Sequence, residues 1–284
     1  MSSISIENVS FAYDDPLQRR KPGEEQVLAL SGIDLEIADG QFVCLIGHSG
    51  SGKSTLLRLL LGLDKPTSGR ICIDGEPIEG PALNRSFVFQ DYSLFPWMKV
   101  QENVEFGIEQ ANRELGRGLS RVAISETARL NLERVGMEDA ASQYPYQLSG
   151  GMKQRVAIAR ALAMDTDILF FDEPFGALDV KTRRALQELV DELWRSGARR
   201  KTVVFVTHDI SEAIVLADRI VVMRKGELIA DNPIALPRPR TPEAIARDEA
   251  AQRLESELTE LFYLDGDEVE NVSSVGVLEA GDSR

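Results

Sequence analysis

The chain has 284 residues, of which 43% are hydrophobic and 27% are charged, so it is long enough and apolar enough to bury one large core or two modest ones. These proportions exclude a chain that is disordered throughout. The formal net charge of −14 argues against a protein that binds nucleic acid over a broad face, because such binding depends on basic side chains that neutralise phosphates.

The cysteine content and the hydropathy of the chain indicate its cellular location. Cys44 and Cys72 are the only cysteines, too few for a disulfide framework, and both lie in apolar runs that favour simple burial. No apolar run is long enough to span a bilayer, and the first residues do not resemble a signal peptide. We therefore expect a cytosolic protein that reaches a membrane only through a partner.

The first part of the chain predicts strands followed by a loop and a helix. Polar and apolar residues alternate over 3–13 and 32–40, which predicts antiparallel strands with one solvated face, separated by a charged surface loop at 14–26. The continuous apolar run "QFVCLI" at 41–46 predicts a strand buried on both faces. It leads directly into "GHSGSGKST" and a helical stretch at 56–63.

The middle of the chain alternates predicted strands with predicted helices. A hairpin is expected at 68–78 and a mostly helical segment from Val100 to about Val135, loosened at 113–120. Further strands are expected at 86–90, 167–174 and 201–209, further helices from 150, at 180–196 and at 210–217, and a hairpin at 218–230. This alternation indicates an α/β fold with a mainly parallel sheet.

The last part of the chain differs in composition. Three prolines, Pro237, Pro239 and Pro242, interrupt regular structure, and residues 241–284 contain 12 acidic and 3 basic side chains, a net charge of −9. One amphipathic helix is predicted by the apolar residues Ile245, Leu254, Leu258, Leu261 and Phe262, with a flexible tail after Leu264. The pattern favours equally a helix that packs on the protein and modulates its assembly and a solvated extension.

A phosphate-binding loop is the strongest motif. The stretch from Gly47 to Ser54 matches G-x-x-x-x-G-K-[ST] between a buried strand and a helix, as this loop requires. Its glycines allow backbone N–H groups to point at phosphate oxygens, Lys53 supplies a charge to the β and γ phosphates, and the Ser54 hydroxyl reaches Mg²⁺. The predicted nucleotide-binding residues here are Gly47, Ser49, Gly50, Gly52, Lys53 and Ser54.

Two later strands end in residues suited to hydrolysis. Asp172 follows a buried strand and is predicted to bind the metal, while Glu173 is predicted to polarise the attacking water. Taken alone, the two acids could equally form a solvated turn. His208 ends another buried strand, which favours a place near the γ-phosphate over a purely structural one. His48 lies at a free position of the phosphate-loop motif and receives no role.

A second glycine-rich helix start lies far from the first. Ser149 can cap a helix, and Gly150 and Gly151 follow it before a long helical stretch, which is the layout of an anion site at a helix N-terminus. It has no lysine, so it looks like half of a phosphate site.

Together these motifs resemble the ATP-binding cassette (ABC) family over about residues 1–235. The chain carries, in the family's order, "GHSGSGKST" as Walker A, Gln90 as the Q-loop, "LSGGM" at 148–152 as the signature, "ILFFDE" as Walker B, "ALD" at 177–179 as the D-loop and His208 as the switch histidine. The resemblance implies a P-loop NTPase core with a mainly parallel sheet, an antiparallel β subdomain and an α-helical subdomain at about 91–165. It divides the chain into an ATPase domain at 1–236 and an acidic extension at 237–284.

The resemblance also implies roles for individual residues. Two copies meet head to tail, and Ser149, Gly150 and Gly151 of one close over the ATP bound by the other, which explains the missing lysine. Tyr13 is implied to stack on adenine, although a tyrosine on an alternating strand could equally be a surface packing residue. Further implied roles are α-phosphate binding for Thr55, Mg²⁺ and water contact for Gln90, and a bridge to the opposite phosphate loop for Asp179. Position 152 is Met where many members of the family have Gln. Because the anion-binding groups lie before this position, we expect catalysis to be retained.

A chain with one cassette and no membrane span is typical of the ATPase subunit of a transporter with separate permease subunits. The apolar stretch 94–98 resembles the groove that receives a helix of the permease, although Phe95 and Trp97 could instead be core residues. "FPWM" and "LPRPR" resemble ATPases of nitrate, sulfonate and taurine importers, which act with a solute-binding protein. A lipid or efflux system is the main alternative. A DNA-maintenance ATPase is less favoured, because 90–148 holds neither a coiled coil nor paired cysteines.

Overall fold

The computed structural model describes residues 2–13, 27–176, 178–196 and 199–263. The predicted surface loop at 14–26, the predicted tail after Leu264 and Ala177 of the D-loop lie outside these residues.

Two sheets form the framework. A four-stranded antiparallel sheet has the order β2-β1-β4-β5, and a six-stranded sheet has the order β10-β9-β3-β8-β7-β6. In the larger sheet β9, β3, β8, β7 and β6 run parallel, and β10 pairs antiparallel with β9. The strands are β1 Ile4–Phe11, β2 Leu30–Ile37, β3 Phe42–Ile46, β4 Ser68–Ile73, β5 Glu76–Pro77, β6 Arg85–Val88, β7 Ile168–Asp172, β8 Thr202–Thr207, β9 Arg219–Arg224 and β10 Glu227–Pro233.

Eight α-helices connect and cover the sheets within the described residues. They are α1 Lys53–Leu60, α2 Val100–Glu114, α3 Arg121–Arg134, α4 Gly150–Ala163, α5 Val180–Ser196, α6 Ile210–Leu216, α7 Pro242–Ile245 and α8 Glu249–Tyr263. The first begins at Lys53, three residues before the apolar run suggested, because the end of the phosphate loop already has helical geometry. None of the helices in the described ranges combines the length and apolar character needed to cross a bilayer.

The continuous apolar runs are the central strands. Every residue of β3 and of β8 is buried, since both faces of the large sheet are covered. One face packs on the antiparallel sheet and α1, and the other packs on α5, α6 and the C-terminal helices. A third cluster, built from α2, α3 and α4, forms the helical subdomain. The predicted α/β architecture with an antiparallel and a helical part is thus confirmed.

The C-terminal segment is joined to the core. Ala251, Leu258 and Phe262 of α8 are buried in the same cluster as the central strands, and α8 packs on α6 and β9. Ile245, expected on the same helix, lies on α7. The break has a local cause, because the Asp248 carboxylate caps α8 by accepting from the Ala251 N–H at 2.9 Å.

Two arginines of "LPRPR" fasten this segment. Arg238 donates to Asp191 Oδ1 at 2.6 Å and to Asp218 Oδ1 at 2.9 Å, and its guanidinium lies 4.7 Å from the centre of the Trp194 ring. Arg240 is buried and donates to the Ile214 carbonyl at 3.0 Å and to the Ala217 carbonyl. Burial, followed by the neighbouring positive charge of Arg238, lowers the pKa of Arg240 to about 10. The segment "LPRPR" is therefore a structural clamp on α5 and α6.

A buried carboxyl lies between α5 and α6. Glu212 is 5% exposed and accepts from Gln187 Nε2 at 2.9 Å. Burial raises the pKa of Glu212 above its ordinary 4.5. Hydrogen bonds from Thr207 and Gln187 oppose this shift. The negative charge of Asp209 adds to the shift, and the positive charge of Arg183 opposes it. The folded chain therefore holds this proton more tightly than the unfolded chain does.

We predict that Glu212→Gln has a higher thermal midpoint than the parent, and that this difference is larger at pH 8 than at pH 5. The stability supplied by the protonated carboxyl is fully present below pH 4.5 and is lost as pH rises through the raised folded-state pKa, whereas the amide keeps its neutral form throughout. Thermal unfolding of both proteins without nucleotide measures the difference. Glu192→Gln, an exposed position on α5, is the matched control. An advantage that does not grow with pH would contradict the prediction.

Candidate functional site

Parallel pairing brings the sequence-predicted residues to one edge of the large sheet. Since β3, β8, β7 and β6 are neighbours in this order, their carboxyl ends present in turn the phosphate loop, His208, the pair Asp172–Glu173 and Gln90. Residues more than 100 positions apart thus lie along one edge of the sheet.

The phosphate loop needs glycine where it turns into α1. Gly52 has φ of 101°, and a Cβ there would lie 2.7 Å from Leu30 Cδ2 and 3.1 Å from the Ala29 carbonyl oxygen. A side chain would therefore be strained and would clash. Gly52 allows the loop to lie directly on the start of β2.

Lys53 begins α1 with its side chain folded into the loop. Its Nζ donates to the Gly47 carbonyl at 2.6 Å and to the His48 carbonyl at 3.0 Å. Burial lowers the pKa of Lys53, and the carboxylates of Glu173 and Asp172 oppose this effect. The ammonium group is thus held at the centre of the loop, where phosphate oxygens would meet it.

Ser54 and Asp172 form an oxygen pair next to the lysine. The Ser54 hydroxyl donates to Asp172 Oδ1 at 3.1 Å. Burial raises the pKa of Asp172; the hydrogen bond from Ser54 opposes the shift, and the nearby Glu173 adds to it. Hydroxyl and carboxylate oxygens are the donors that Mg²⁺ prefers, so these two residues fit that ion. A bound dication would favour the ionised carboxylate.

Glu173 and His208 are in direct contact. Glu173 Oε2 lies 3.1 Å from His208 Nδ1. The glutamate has φ of 44°, a left-handed conformation that is uncommon outside glycine, and it is held there by the bond from its N–H to the Val206 carbonyl at 3.0 Å. The backbone of β8 thus holds Glu173 in a strained backbone conformation and places its carboxylate beside His208.

The Q-loop is anchored by the helical subdomain. Gln90 is exposed directly after β6, and the turn that follows has positive φ at Tyr92 and Ser93. Arg160 of α4 donates to the Ser93 carbonyl at 2.7 Å and to the Tyr92 carbonyl at 3.3 Å. Sequence reasoning missed Arg160, because nothing local distinguishes it from other helix arginines.

The predicted signature caps α4. The Ser149 hydroxyl accepts from the Met152 N–H at 3.3 Å, so the serine is the N-cap. A Cβ on Gly151 would lie 2.6 Å from Thr182 Cγ2, which requires a small residue where α4 passes α5. The Asp179 carboxylate caps the start of α5 by accepting from the Thr182 N–H at 3.0 Å. Thr182 of α5 therefore lies against the signature glycine and also bonds to the D-loop aspartate.

Tyr13 lies beside the phosphate loop. Its side chain is 54% exposed, its hydroxyl lies 2.9 Å from Thr55 Oγ1, and its ring packs edge-on against Phe11 at 4.9 Å. The exposed ring is available to stack on a planar ligand.

A buried asparagine holds the apolar stretch 94–98 through hydrogen bonds to its backbone. Asn103 is fully buried, accepts from the Phe95 N–H at 2.8 Å and donates to the carbonyls of Phe95 and Met98, each at 3.1 Å. Trp97 is 69% exposed, so it is not a core residue, whereas Phe95 is half-buried against Phe106. Sequence reasoning missed Asn103; its signal was a polar residue on the apolar face of a predicted helix.

Comparison with known proteins is consistent with this geometry. The sequence profile of a family described as "ABC transporter" matches residues 30–176. The nitrate import ATP-binding protein NrtD of Synechococcus elongatus is 40% identical over 266 residues, which are 92% of this chain and 95% of that protein. The bicarbonate transport ATP-binding protein CmpC of the same organism is 42% identical over 264 residues, 92% of this chain but 38% of that longer protein.

A solved structure shows the same fold. The ATP-binding cassette MJ0796, described as a dimer in a post-hydrolysis state bound to ADP and Pi, superimposes with a TM-score of 0.69 at 35% identity, over 82% of this chain and 100% of that one. The chain therefore belongs to the ABC transporter family, as an ATP-binding subunit with ATPase activity.

Proposed function

We propose that this chain powers an importer of a small oxyanion of the nitrate type, by binding and hydrolysing Mg-ATP at the carboxyl edge of the large sheet. The observation that carries the ATPase chemistry is the contact of Glu173 with His208 at the same sheet edge as Lys53 and the Ser54–Asp172 pair. The transport role is supported by the 40% identity with NrtD, which extends over nearly the whole of both chains.

Nucleotide binding is assigned to the phosphate loop and its neighbours. Backbone N–H groups of the loop and Lys53 bind the phosphates, and Tyr13 stacks on the adenine. Ser49 and Thr55 add hydroxyls at the loop and at the start of α1. Ser54, Asp172 and Gln90 hold Mg²⁺, which supplies charge neutralisation for the transferred phosphoryl group.

Hydrolysis is assigned to Glu173 and His208. The Glu173 carboxylate accepts a proton from the attacking water, and Gln90 helps to orient that water. His208 Nδ1 lies 3.1 Å from the carboxylate and fixes its direction. Because the imidazole is 57% exposed, its ring remains available to a γ-phosphate oxygen.

The complete site requires two copies. Ser149, Gly150 and Gly151 at the exposed start of α4 form an anion site without a cation, whereas the phosphate loop has the cation. A head-to-tail dimer brings the signature of one copy onto the nucleotide of the other, with Asp179 bridging the copies. The dimeric state of the cassette MJ0796 supports this arrangement.

The membrane partner is a separate permease, recognised through the stretch 94–98. Trp97 is exposed, and the Asn103 bonds hold its loop in one conformation, which suits a binding anchor. We propose a peripheral location on the cytoplasmic face of the membrane and an assembly that includes a solute-binding protein.

The transported solute is read from relatives, because the cassette does not contact it. Nitrate and bicarbonate, the solutes in the names of NrtD and CmpC, are both small inorganic oxyanions. Sulfonates and taurine carry an oxyanion group as well and stay within the proposal. A lipid or efflux system is the alternative, and the uptake experiment below decides between them.

We also propose a functional division at residue 236, with an ATPase domain at 1–236 and an extension at 237–284. The helical subdomain at about 91–165 then carries both the signature and the permease contact. The burial of α8 in the common core supports a regulatory extension over a solvated one.

Replacing Glu173 by Gln is expected to lower ATP turnover by about 10²- to 10⁴-fold, because the amide keeps the shape but not the basicity of the carboxylate. ATP binding is retained, so sedimentation with Mg-ATP should show a dimer that is absent without it. Glu138→Gln, an exposed site distant in sequence, should behave as the parent. Turnover near the parent rate would show that Glu173 is not the base.

Mixing two inactive variants tests whether the site is shared between copies. Lys53→Ala damages the phosphate loop and Gly151→Asp damages the signature, so each homodimer has two defective sites. A heterodimer has one site with both defects and one intact site, and an equimolar mixture should regain up to about one quarter of parent turnover. No recovery on mixing, with both variants folded, would contradict the head-to-tail arrangement.

Uptake in cells tests the transport role. A strain that lacks this chain should lose uptake of isotopically labelled nitrate at low external concentration and regain it with the parent but not with Glu173→Gln. Labelled bicarbonate and taurine, assayed in parallel, distinguish the oxyanions. Unchanged uptake of all three would contradict the importer and favour the efflux or lipid alternative.

A further inference from the structure

An aromatic contact joins the C-terminal helix to the phosphate loop. The His48 ring lies 4.1 Å from the Phe262 ring and 5.5 Å from the Tyr263 ring, centre to centre, and the two aromatic rings of α8 are 5.2 Å apart. Phe262 is 7% exposed, whereas His48 and Tyr263 are exposed. The phosphate-loop motif requires no particular residue at His48, so the contact is additional to the motif.

The helix that makes this contact is fixed to the core along its length. Ala251 and Leu258 of α8 are fully buried, and Glu255 Oε1 accepts from the Ser211 hydroxyl at 2.7 Å. Ser211 belongs to α6, which begins two residues after His208. The other neighbour, β9, pairs with β3, the strand that ends at the phosphate loop. Thus α8 contacts both the phosphate loop, through His48, and the helix that follows His208, through Ser211.

His48 is also tied to the lysine of the loop. Its carbonyl oxygen accepts from Lys53 Nζ at 3.0 Å and from the Ser51 N–H at 3.1 Å. The ring contact and the carbonyl bonds belong to the same residue, so α8 restrains the backbone segment whose carbonyl positions the ammonium. Because His48 and Tyr263 are exposed, their contact buries little surface and contributes less to the stability of the core than the buried face of α8 does.

We propose that Phe262 and Tyr263 act through His48 as positioning residues for the phosphate loop, so that the C-terminal helix sets the affinity of this ATPase for nucleotide. The proposal rests on the assignment of 47–55 as the nucleotide loop and is independent of the transported solute. Aromatic pairs of this kind supply about 0.5–1.5 kcal/mol beyond burial, equivalent to about a two- to twelve-fold change in a dissociation constant.

Calorimetric titration of the full-length chain with Mg-ADP tests the proposal, because ADP reports on the phosphate loop without the γ-phosphate that closes a dimer. His48→Ala should raise the dissociation constant about three- to ten-fold and the KM for ATP in parallel, with little change in kcat. The thermal midpoint without nucleotide should fall by less than about 4 °C. His48→Phe keeps the ring contact and should remain within about two-fold of the parent.

A double-mutant cycle separates this contact from general packing. Tyr263→Ala should weaken Mg-ADP binding alone, and His48→Ala should cost less in that background than in the parent. Leu261→Ala, which removes packing against the core from the same turn of α8, is the control: it should lower the thermal midpoint and leave the dissociation constant unchanged.

Three results would overturn the proposal: unchanged Mg-ADP affinity in His48→Ala, equal loss in His48→Phe, or additive effects of His48→Ala and Tyr263→Ala. Lys53→Ala distinguishes this failure from that of the underlying assignment. If Lys53→Ala binds Mg-ADP as the parent does, the nucleotide loop is wrongly assigned and the positioning role is overturned with it.

Discussion

The parallel pairing of the central strands is the constraint on which the site depends. Each strand that ends at the carboxyl edge of the sheet delivers one short loop, and the order β3-β8-β7-β6 fixes which loops are neighbours. The phosphate loop, His208, the acid pair and Gln90 come from four different strands. A strand out of place would separate groups that now lie within hydrogen-bond distance, such as Ser54 and Asp172 at 3.1 Å.

Two polar side chains, Asn103, which is buried, and Arg160, which is half-buried, connect these loops to the helical subdomain. Arg160 holds the backbone of the Q-loop from the helix that begins with the signature, and Asn103 holds the apolar stretch that we assign to the permease. Burial lowers the pKa of Arg160, and its bonds to two carbonyls satisfy the charged group. A shift of the helical subdomain would thus move the Q-loop and the permease surface together, which suits a protein that couples hydrolysis to transport.

The C-terminal segment also connects a loop of the site to the rest of the molecule. Arg238 and Arg240 clamp "LPRPR" to α5 and α6, and α8 then lies across α6 and β9 with its aromatic end on His48. This region is negatively charged overall, but the face of α8 that packs on the core is apolar. Through this helix the chain joins a segment outside the ATPase motifs to the loop that we assign to phosphate binding.

The sequence by itself determined the parts whose cause is local. The glycines and lysine of the phosphate loop, the cap residue Ser149 and the alternation of apolar strands and amphipathic helices are each explained within a few residues, and they predicted the fold class, the family and the ATPase activity. The candidate residues that tertiary structure brings together were also identified by their motifs.

Only the tertiary structure decided which distant groups meet. Periodicity shows that a residue faces a core but not which element faces it, so the contacts of Glu173 with His208, of Gly151 with Thr182 and of Asn103 with Phe95 were not predictable. The division of the C-terminal region into α7 and α8 follows from the Asp248 cap, a signal too weak to outweigh the apolar pattern around it. His48 is the clearest case. The role that we propose for it depends on a contact with Phe262, which lies more than 200 residues away in the sequence.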